Sequence, residues 1–316
     1  TSTRLDNTDI PGETTDAQRI HLRFQPSFSL LWKATDNFTF NGNVDYLSSE
    51  TSWPQLYTTY LMQNYRSLSR YRALLSDSHA VSARLKISFK DIFNGFFAYA
   101  EGNWRRSWSD ITYGTTLDEQ AHTILEATYA PNHGTGYGFT LYGRKDIYWH
   151  TMQLDLKASA TTDRSQILRQ SVLMEYKRQG YALSGTLAFD IVTGYRLDYS
   201  VRWQRSRSVS TVYTTILRDL SQRGRLTMRL VPSRLFFNVN ASHSYNSSLP
   251  SSRKNFVFLG AGLQWKVSKK LEFNLDGDNL TNIRTFIVRN IGNLEEHYEE
   301  YHLRPLSVTL TAHINM

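Results

Sequence analysis

The side chains with the widest chemical reach are nine histidines, and they are scattered through 316 residues rather than gathered. There is no cysteine, which excludes a thiolate metal site, a cysteine nucleophile and a disulfide scaffold. No Gly-x-Ser-x-Gly, His-Glu-x-x-His or phosphate-cradling glycine loop occurs. No catalytic residue is assigned, and the chain reads as a non-enzyme. One acidic stretch, Glu295-Glu296-His297-Tyr298-Glu299-Glu300-Tyr301-His302, invites a metal. In an extended chain alternate residues share a face, so Glu295, His297 and Glu299 could converge on a divalent ion. Metal sites need three or four ligands at fixed geometry, and one strand face seldom supplies them. A solvated loop is the expectation, with no metal and no cofactor. The other chemically rich stretch runs from Trp53 to Leu75 and is dense in Tyr and Arg, the residues of recognition surfaces. Trp53, Tyr57, Tyr60, Tyr65, Arg66, Arg70 and Tyr71 are the candidates for ligand contact there. The opposing reading is a loop packed on its neighbours.

The elements that must position these residues show as alternation with period two. From Arg19 to Ala34, Ile20, Leu22, Phe24, Pro26, Phe28, Leu30 and Trp32 oppose Arg19, His21, Arg23, Gln25, Ser27, Ser29 and Lys33. Val81, Ala83, Leu85, Ile87 and Phe89 oppose Ser82, Arg84, Lys86 and Ser88. Leu168, Val172, Met174 and Tyr176 oppose Arg169, Ser171, Glu175 and Lys177, and Leu197, Tyr199, Val201 and Trp203 oppose Arg196, Asp198, Ser200 and Arg202. About fifteen such segments occur, many longer than the usual strand of about 5–6 residues. Roughly 9–11 tilted residues cross a bilayer as a strand. Arg or Lys at the midplane of a lipid-facing surface costs about 2–4 kcal/mol, so the apolar face must be the outer one. No run of about 18 apolar residues occurs, which excludes a membrane-spanning helix. The first residues carry no signal-peptide core and read as mature chain or an internal piece.

Connections sort into two sets. Short ones are expected around Asp36, Asp91–Gly95, Pro131–Gly136, Thr161–Arg164, Val192–Gly194, Pro232 and Ser268–Lys270. Long ones are expected at Glu50–Ser78, Ser107–Glu119, Arg205–Gln222, Tyr245–Lys254 and Asn282–Glu300, with short loop-side connections near Gly143–Tyr148 and Gln179. Short turns and long loops belong at opposite ends of an outer-membrane barrel. Trp32, Tyr129 and Trp265 are placed at the turn end, and Tyr46, Trp104, Tyr176 and Trp203 at the loop end, as interfacial aromatics. The lumen-facing charges include Arg23, Arg84, Arg105, Arg169, Arg202, Arg225 and Arg229, with Lys86, Glu101, Asp155, Asp198, Glu272 and Asp276 among them. They could guide an anionic ligand, dock a plug, or fill a wet lumen with internal ion pairs. Net charge is +8, but Arg and Lys are interspersed with Asp and Glu, which argues against nucleic acid as a partner.

The last segment is the most specific. Phe256-Val257-Phe258-Leu259-Gly260-Ala261-Gly262-Leu263 leads through Trp265 to Leu275-Asp276-Gly277-Asp278-Asn279-Leu280-Thr281-Asn282, and Leu303-Arg304-Pro305-Leu306 opens the final strand. This resembles the C-terminal end of a TonB-dependent receptor barrel, most of all the receptor-like barrels of Bacteroidota. Asn-Leu-Thr-Asn matches the family's Asn-Leu-Phe-Asn, and Asn279 and Asn282 suit capping of the backbone where a strand leaves the membrane. Pro305 suits a strand start. Met316 stands where the family ends in an aromatic residue.

The resemblance implies an all-β, antiparallel transmembrane β-barrel in the bacterial outer membrane, with outer-membrane lipid around it. It implies transport of a scarce or bulky ligand, a plug domain and the TonB system as partners through an upstream region, and a surface lipoprotein as a further partner. Such receptors have about 22 strands, so residues 1–316 are expected to be the C-terminal portion of a larger barrel, without the plug. A self-contained barrel of fourteen or sixteen strands is the alternative count. A non-transport barrel for adhesion or complex assembly, a barrel enzyme and a soluble β protein are the alternative functions.

Overall fold

A computed structural model describes residues 2–5, 17–20, 24–50, 59–71, 76–120, 122–148, 151–291 and 296–314. The chain is nearly all-β, as expected, and antiparallel apart from two short parallel pairings at one end of the sheet. Strands β1 (Ser2–Leu5) and β2 (Ala17–Ile20) form a hairpin of their own. The main sheet begins with β3 (Ser27–Lys33), β4 (Phe38–Glu50), the small hairpin β5 (Leu61–Asn64) and β6 (Ser67–Arg70), and β7 (Asp77–Asp91). It continues through β8 (Phe96–Leu117), β9 (Thr123–Ile147), β10 (Met152–Arg169), β11 (Val172–Val192), β12 (Tyr195–Ser210), β13 (Thr214–Val231), β14 (Leu235–Asn246), β15 (Asn255–Lys266) and β16 (Leu271–Asp278). A hairpin of β17 (Thr285–Ile291) and β18 (Glu296–His302) precedes the last strand, β19 (Ser307–Ile314). The sheet has fifteen strands, each long strand pairing with its sequence neighbour from β3 and β4 through β7 to β16 and then β19. Among the described residues its two end strands, β3 and β19, do not pair with each other.

The cross-strand register keeps one apolar face across the whole sheet. Leu30, Gly42, Leu85, Gly102, Phe139, Ala160 and Tyr181 follow one another along one row of partners. Leu197, Leu226, Val239, Ala261, Gly277 and Val308 form another. These side chains are not in a core. Leu183 is 53% exposed and Leu310 69%, and only seven apolar residues are buried among the described residues. A continuous exposed apolar surface of this kind fits hydrocarbon rather than water. The opposite face carries the polar set, so a one-residue slip would exchange the two over the entire sheet.

Local chemistry fixes the turns at one end. Thr35 Oγ1 accepts from the backbone N–H of Asn37 and Phe38. Asp91 accepts from the Asn94 N–H, and Gly95 supplies the left-handed φ of +58° that closes that turn. Ser268 Oγ accepts from the N–H of Lys270 and Leu271. The turns near Asp36, Asp91–Gly95, Val192–Gly194, Pro232 and Ser268–Lys270 therefore stand as expected.

Several boundaries differ. Pro131–Gly136 and Thr161–Arg164 are strand interior, in β9 and β10. Pro131 is tolerated because it lies in a bulge of β9, where Ala130 and Pro131 together face the one residue between Ser109 and Ile111 and the ladder already lacks a bond. Ser107–Glu119 and Arg205–Gln222 are mostly strand, and their connections shrink to residues 118–122 and 211–213. The connection after Gly143 spans 148–151 and lies at the short-turn end, and Gln179 is inside β11. The segment Leu168–Lys177 is broken by a two-residue turn, Gln170 and Ser171, at φ +47° and +62°. That break reverses the reading of its second half: Glu175 and Lys177, not Met174 and Tyr176, share the apolar face of β11. Tyr129 lies at the loop end, opposite Ile111. The stretch Arg19–Ala34 is not one strand, since β2 ends at Ile20 and β3 starts at Ser27.

Candidate functional site

The polar face is a ladder of cross-strand contacts. Arg84 Nε lies 3.5 Å from Glu101 Oε1. Lys86 Nζ stands 4.2 Å over the ring of Tyr99, which stacks on Tyr142 at 5.1 Å. The Tyr142 hydroxyl donates to Asp155, which also accepts from Gln153 Nε2 at 2.7 Å and Thr186 Oγ1 at 3.3 Å. Arg144 holds Asp146 at 3.0 Å, and Arg196 bridges Asp190 and Asp198 at 3.7 and 3.1 Å. Of the expected lumen charges, Arg84, Arg105, Arg202, Arg225 and Arg229 are all on this face by register. Arg169 shares it by alternation at the tip of β10, and Arg23 lies outside the described residues. Arg229 packs over the ring of Phe236, 5.9 Å from its centroid.

Not every cation is paired. Arg202, Arg223 and Arg225 have no carboxylate within 4 Å among the described residues. Arg223 and Arg225 line a 390 Å³ cavity with Asp155, Thr186, Asp198 and Asn240. The two aspartates in that lining lie beyond 4 Å of both guanidinium groups, which leaves the arginines open to a carboxylate or phosphate.

The loop end is partly roofed. Below the bulge at Ser109/Ile111, β8 pairs with β7 and β9 with β10. Above it the neighbours exchange: Gly114 and Thr115 of β8 meet Leu168 and Arg169 of β10, while Thr123–Glu126 of β9 pair with β6. The β8–β9 hairpin has turned over about its own axis, consistent with the added twist that a bulge imposes. Gly114 permits the crossing, because a Cβ there would stand 2.7 Å from Leu168 Cδ2.

This crossing gathers part of the Tyr/Arg loop. Tyr60 donates to Glu126 Oε1 at 3.3 Å, Arg70 approaches the same carboxylate at 3.9 Å, and the Arg70 guanidinium lies 5.2 Å over the Tyr60 ring. Tyr71 meets Tyr113 edge-on at 6.0 Å. Tyr60, Arg70 and Tyr71 thus dock the loop onto the turned hairpin. Tyr65 and Arg66 instead stand at the exposed tip, with Arg66 5.3 Å over the Tyr65 ring. Trp53 and Tyr57 lie outside the described residues.

A second hairpin folds over the polar face further along. Phe256 and Phe258 break the alternation of β15 by lying on its polar side, opposite Ser244 and Ser242. Phe286 of β17 explains them, meeting both rings edge-on at 5.0 and 5.9 Å. Leu249, Phe256 and Ile287 form the buried cluster beneath. Arg289 ties the hairpin down: its carbonyl accepts from Asn246 Nδ2 and Ser248 Oγ, both at 3.2 Å, and Arg289 Nη1 donates to the Ser248 carbonyl.

On β18, Glu299 pairs with His297 at 2.8 Å and accepts from Tyr301, which hold its carboxyl below the usual range. Glu299 in turn pushes the Tyr301 phenol up. Glu295 lies outside the described residues, and among these no three His, Asp or Glu gather as a metal site.

The sequence did not flag Arg223, Glu126 or Phe286. Phe256 and Phe258 were the available signal, as two aromatics out of step with their strand. Glu126 had none, since its role depends on two loops distant in the chain.

Comparison with protein families and with curated proteins gives no match. Among solved structures, the chain is similar to the siderophore receptor PirA from Pseudomonas aeruginosa, at 9% identity and TM-score 0.47, over 85% of this chain and 40% of that one. It is similar to PirA from Acinetobacter baumannii at 9% identity and TM-score 0.48, over 92% and 48%. It is similar to the ferric yersiniabactin uptake receptor FyuA from Yersinia pestis at 9% identity and TM-score 0.46, over 92% and 50%. The chain spans half or less of the length of these receptors.

Proposed function

We propose that this chain is a barrel portion of a TonB-dependent receptor-like transporter of the bacterial outer membrane, of the Bacteroidota type. It takes up a bulky or scarce ligand. A plug domain and the TonB system act through an upstream region, and a surface lipoprotein completes the receptor. The observation that carries this reading is the pairing of an exposed apolar face with a polar face on which Arg202, Arg223 and Arg225 have no carboxylate within 4 Å among the described residues. The apolar face meets lipid and the polar face lines the lumen. Arg202, Arg223 and Arg225 favour an anionic ligand, and Tyr65 and Arg66 offer its first contact at the loop tip.

The test is extraction of the native protein from outer membranes, with its intact mass and its ligand uptake measured. A species much heavier than 36.6 kDa carrying a plug, with uptake abolished when TonB is deleted, supports transport. A lone species of that mass, or uptake indifferent to TonB, overturns it in favour of a pore or an adhesion barrel. Solubility without detergent overturns the membrane reading itself.

A further inference from the structure

The apolar face is not uniformly apolar. At the loop end of β8 and β10 to β13 it changes to cations: Arg106, Arg164, Lys177, Arg205, Arg207 and Arg218 all share its parity. They sit just beyond an aromatic rim of Trp104, Tyr137, Tyr181 and Trp203 on the same face. Between the short turns and this border, β8 offers Phe96 to Trp104 and β12 offers Tyr195 to Trp203, each roughly nine residues, the length that crosses a bilayer. The cations therefore stand at the headgroup level of one leaflet. Their positions also step toward the turns from β11 to β13. Arg106, Arg164 and Lys177 lie on one row of partners, Arg207 two rows nearer the turns, and Arg205 and Arg218 four rows nearer. Tilted barrel strands place a level band on such a staircase.

The cluster is costly as it stands. Arg164 lies directly opposite Lys177, and Arg205 directly opposite Arg218. Like charges directly opposed across strands repel. None of the six has a carboxylate within 4 Å among the described residues. The acids sharing their face at this end are Glu175, within the cluster, Asp110, beyond Arg106 on β8, and Glu50 and Asp77, higher on β4 and β7. A 610 Å³ concavity opens there, lined by Arg106, Thr135, Arg164, Glu175 and Lys177. Unpaired cations beside a concavity, with apolar surface directly below, match an anionic head on acyl chains.

We propose that this cluster is a binding site for a lipid with a net-anionic phosphate head, the head held at the concavity by Arg106, Arg164 and Lys177 and attracted by Arg205 and Arg218 beside them, and its acyl chains lying on the apolar face beneath. This rests on the membrane reading above and adds a specific lipid to it. The full chain, extracted in non-ionic detergent, is titrated with dioleoyl phosphatidic acid or dioleoyl phosphatidylcholine and read by native mass spectrometry. Phosphatidic acid is expected to be retained at least tenfold more tightly. R164Q/K177Q/R205Q/R218Q is expected to remove that preference, and K269Q/K270Q, in the turn at the opposite end, to keep it, with folding of each checked by heat-modifiable gel mobility. Equal retention of the two lipids, or equal loss in both variants, overturns the proposal. So does displacement of the lipid by equimolar inorganic phosphate, which would make the site one for free anions. A protein that needs detergent yet shows no lipid preference fails only this inference, whereas one soluble without detergent fails the membrane reading.

Discussion

The side-chain amide of Asn279 donates to the backbone carbonyl of Arg304, 2.9 Å away, joining the end of β16 to the approach of β19. The same amide nitrogen donates to the Ile283 carbonyl at 2.7 Å, and its oxygen accepts the Ile283 N–H at 3.0 Å. Asn282 completes the junction by accepting the Leu306 N–H at 3.2 Å. Both asparagines hold left-handed φ angles, +51° and +54°. Asn279→Ala loses the bonds and meets the φ penalty, and is expected to cost about 1–3 kcal/mol. Asn279→Gly loses the bonds alone and should cost less. Urea unfolding in micelles checks the order; equal stability of wild type and Asn279→Ala would refute the junction's role.

That junction was legible in sequence because its chemistry is local. Asn-Leu-Thr-Asn puts two residues tolerant of positive φ where a strand must stop. The alternation that fixed the faces of β7 and β12 was legible for the same reason. The continuation of β8, β9 and β12 past the membrane was not. Arg105-Arg106 carries charge on both parities, and Arg205 and Arg207 put charge on the parity that is apolar lower in the strand, so both stretches read as loop, and only the cross-strand pairing shows them as strand. Pro131 misled because its missing N–H is harmless within a bulge, and only the cross-strand pairing shows that a bulge is there. Docking of Arg70 and Tyr60 on Glu126 joins segments more than fifty residues apart, which no local pattern encodes.

The two halves of the Tyr/Arg loop should separate in function. Arg70→Ala frees the loop from Glu126 and is expected to raise protease cleavage within residues 59–71, with little change in global unfolding. Tyr65→Ala and Arg66→Ala leave the docking contacts intact and should leave cleavage unchanged while weakening ligand binding. Limited proteolysis beside a binding assay reads both effects. Arg70→Ala as resistant as wild type would count against docking.

Phe286 anchors the β17–β18 hairpin on two phenylalanines, and its truncation leaves half-buried aromatic surface exposed. Phe286→Ala is expected to cost roughly 1–3 kcal/mol locally, below the figure for a fully buried ring. Backbone amides of 285–289 and 297–302 should exchange faster, while those of β11 and β12 stay protected. Hydrogen exchange by mass spectrometry distinguishes this from global loosening, in which all would accelerate together.

The 118–122 turn should depend on pH. Asp118 accepts from the His122 N–H at 2.7 Å, pairs with His122 Nδ1 at 2.8 Å and accepts from the Gln120 N–H at 3.0 Å, which holds its carboxyl below the ordinary value of 3.8. A lowered folded value means that the contribution is present above the unfolded value and is lost as pH falls through the folded one. Exchange of the turn amides should therefore rise as pH drops below about 4, after correction for intrinsic rates. Asp118→Asn keeps an acceptor without the titration and should flatten that profile. A flat profile in wild type would show that the carboxylate is not holding the turn.

The polar-face arginines should set charge preference more than stability. Arg202, Arg223 and Arg225 are exposed on that face and have no carboxylate within 4 Å among the described residues. Replacing all three with Gln breaks no ion pair, so the unfolding midpoint should move little. Affinity for an anionic ligand should fall, because each charge-assisted bond to a guanidinium is worth about 1.5–3 kcal/mol. Arg84→Gln makes the contrast: it releases Glu101 and adds a net negative charge to the same face without touching the cavity between β10 and β14. Binding at low and high salt then separates the cases. A loss in the triple variant that vanishes at high salt marks long-range steering. A loss that persists marks direct contact in the cavity, and no loss at either salt removes these arginines from the ligand's path.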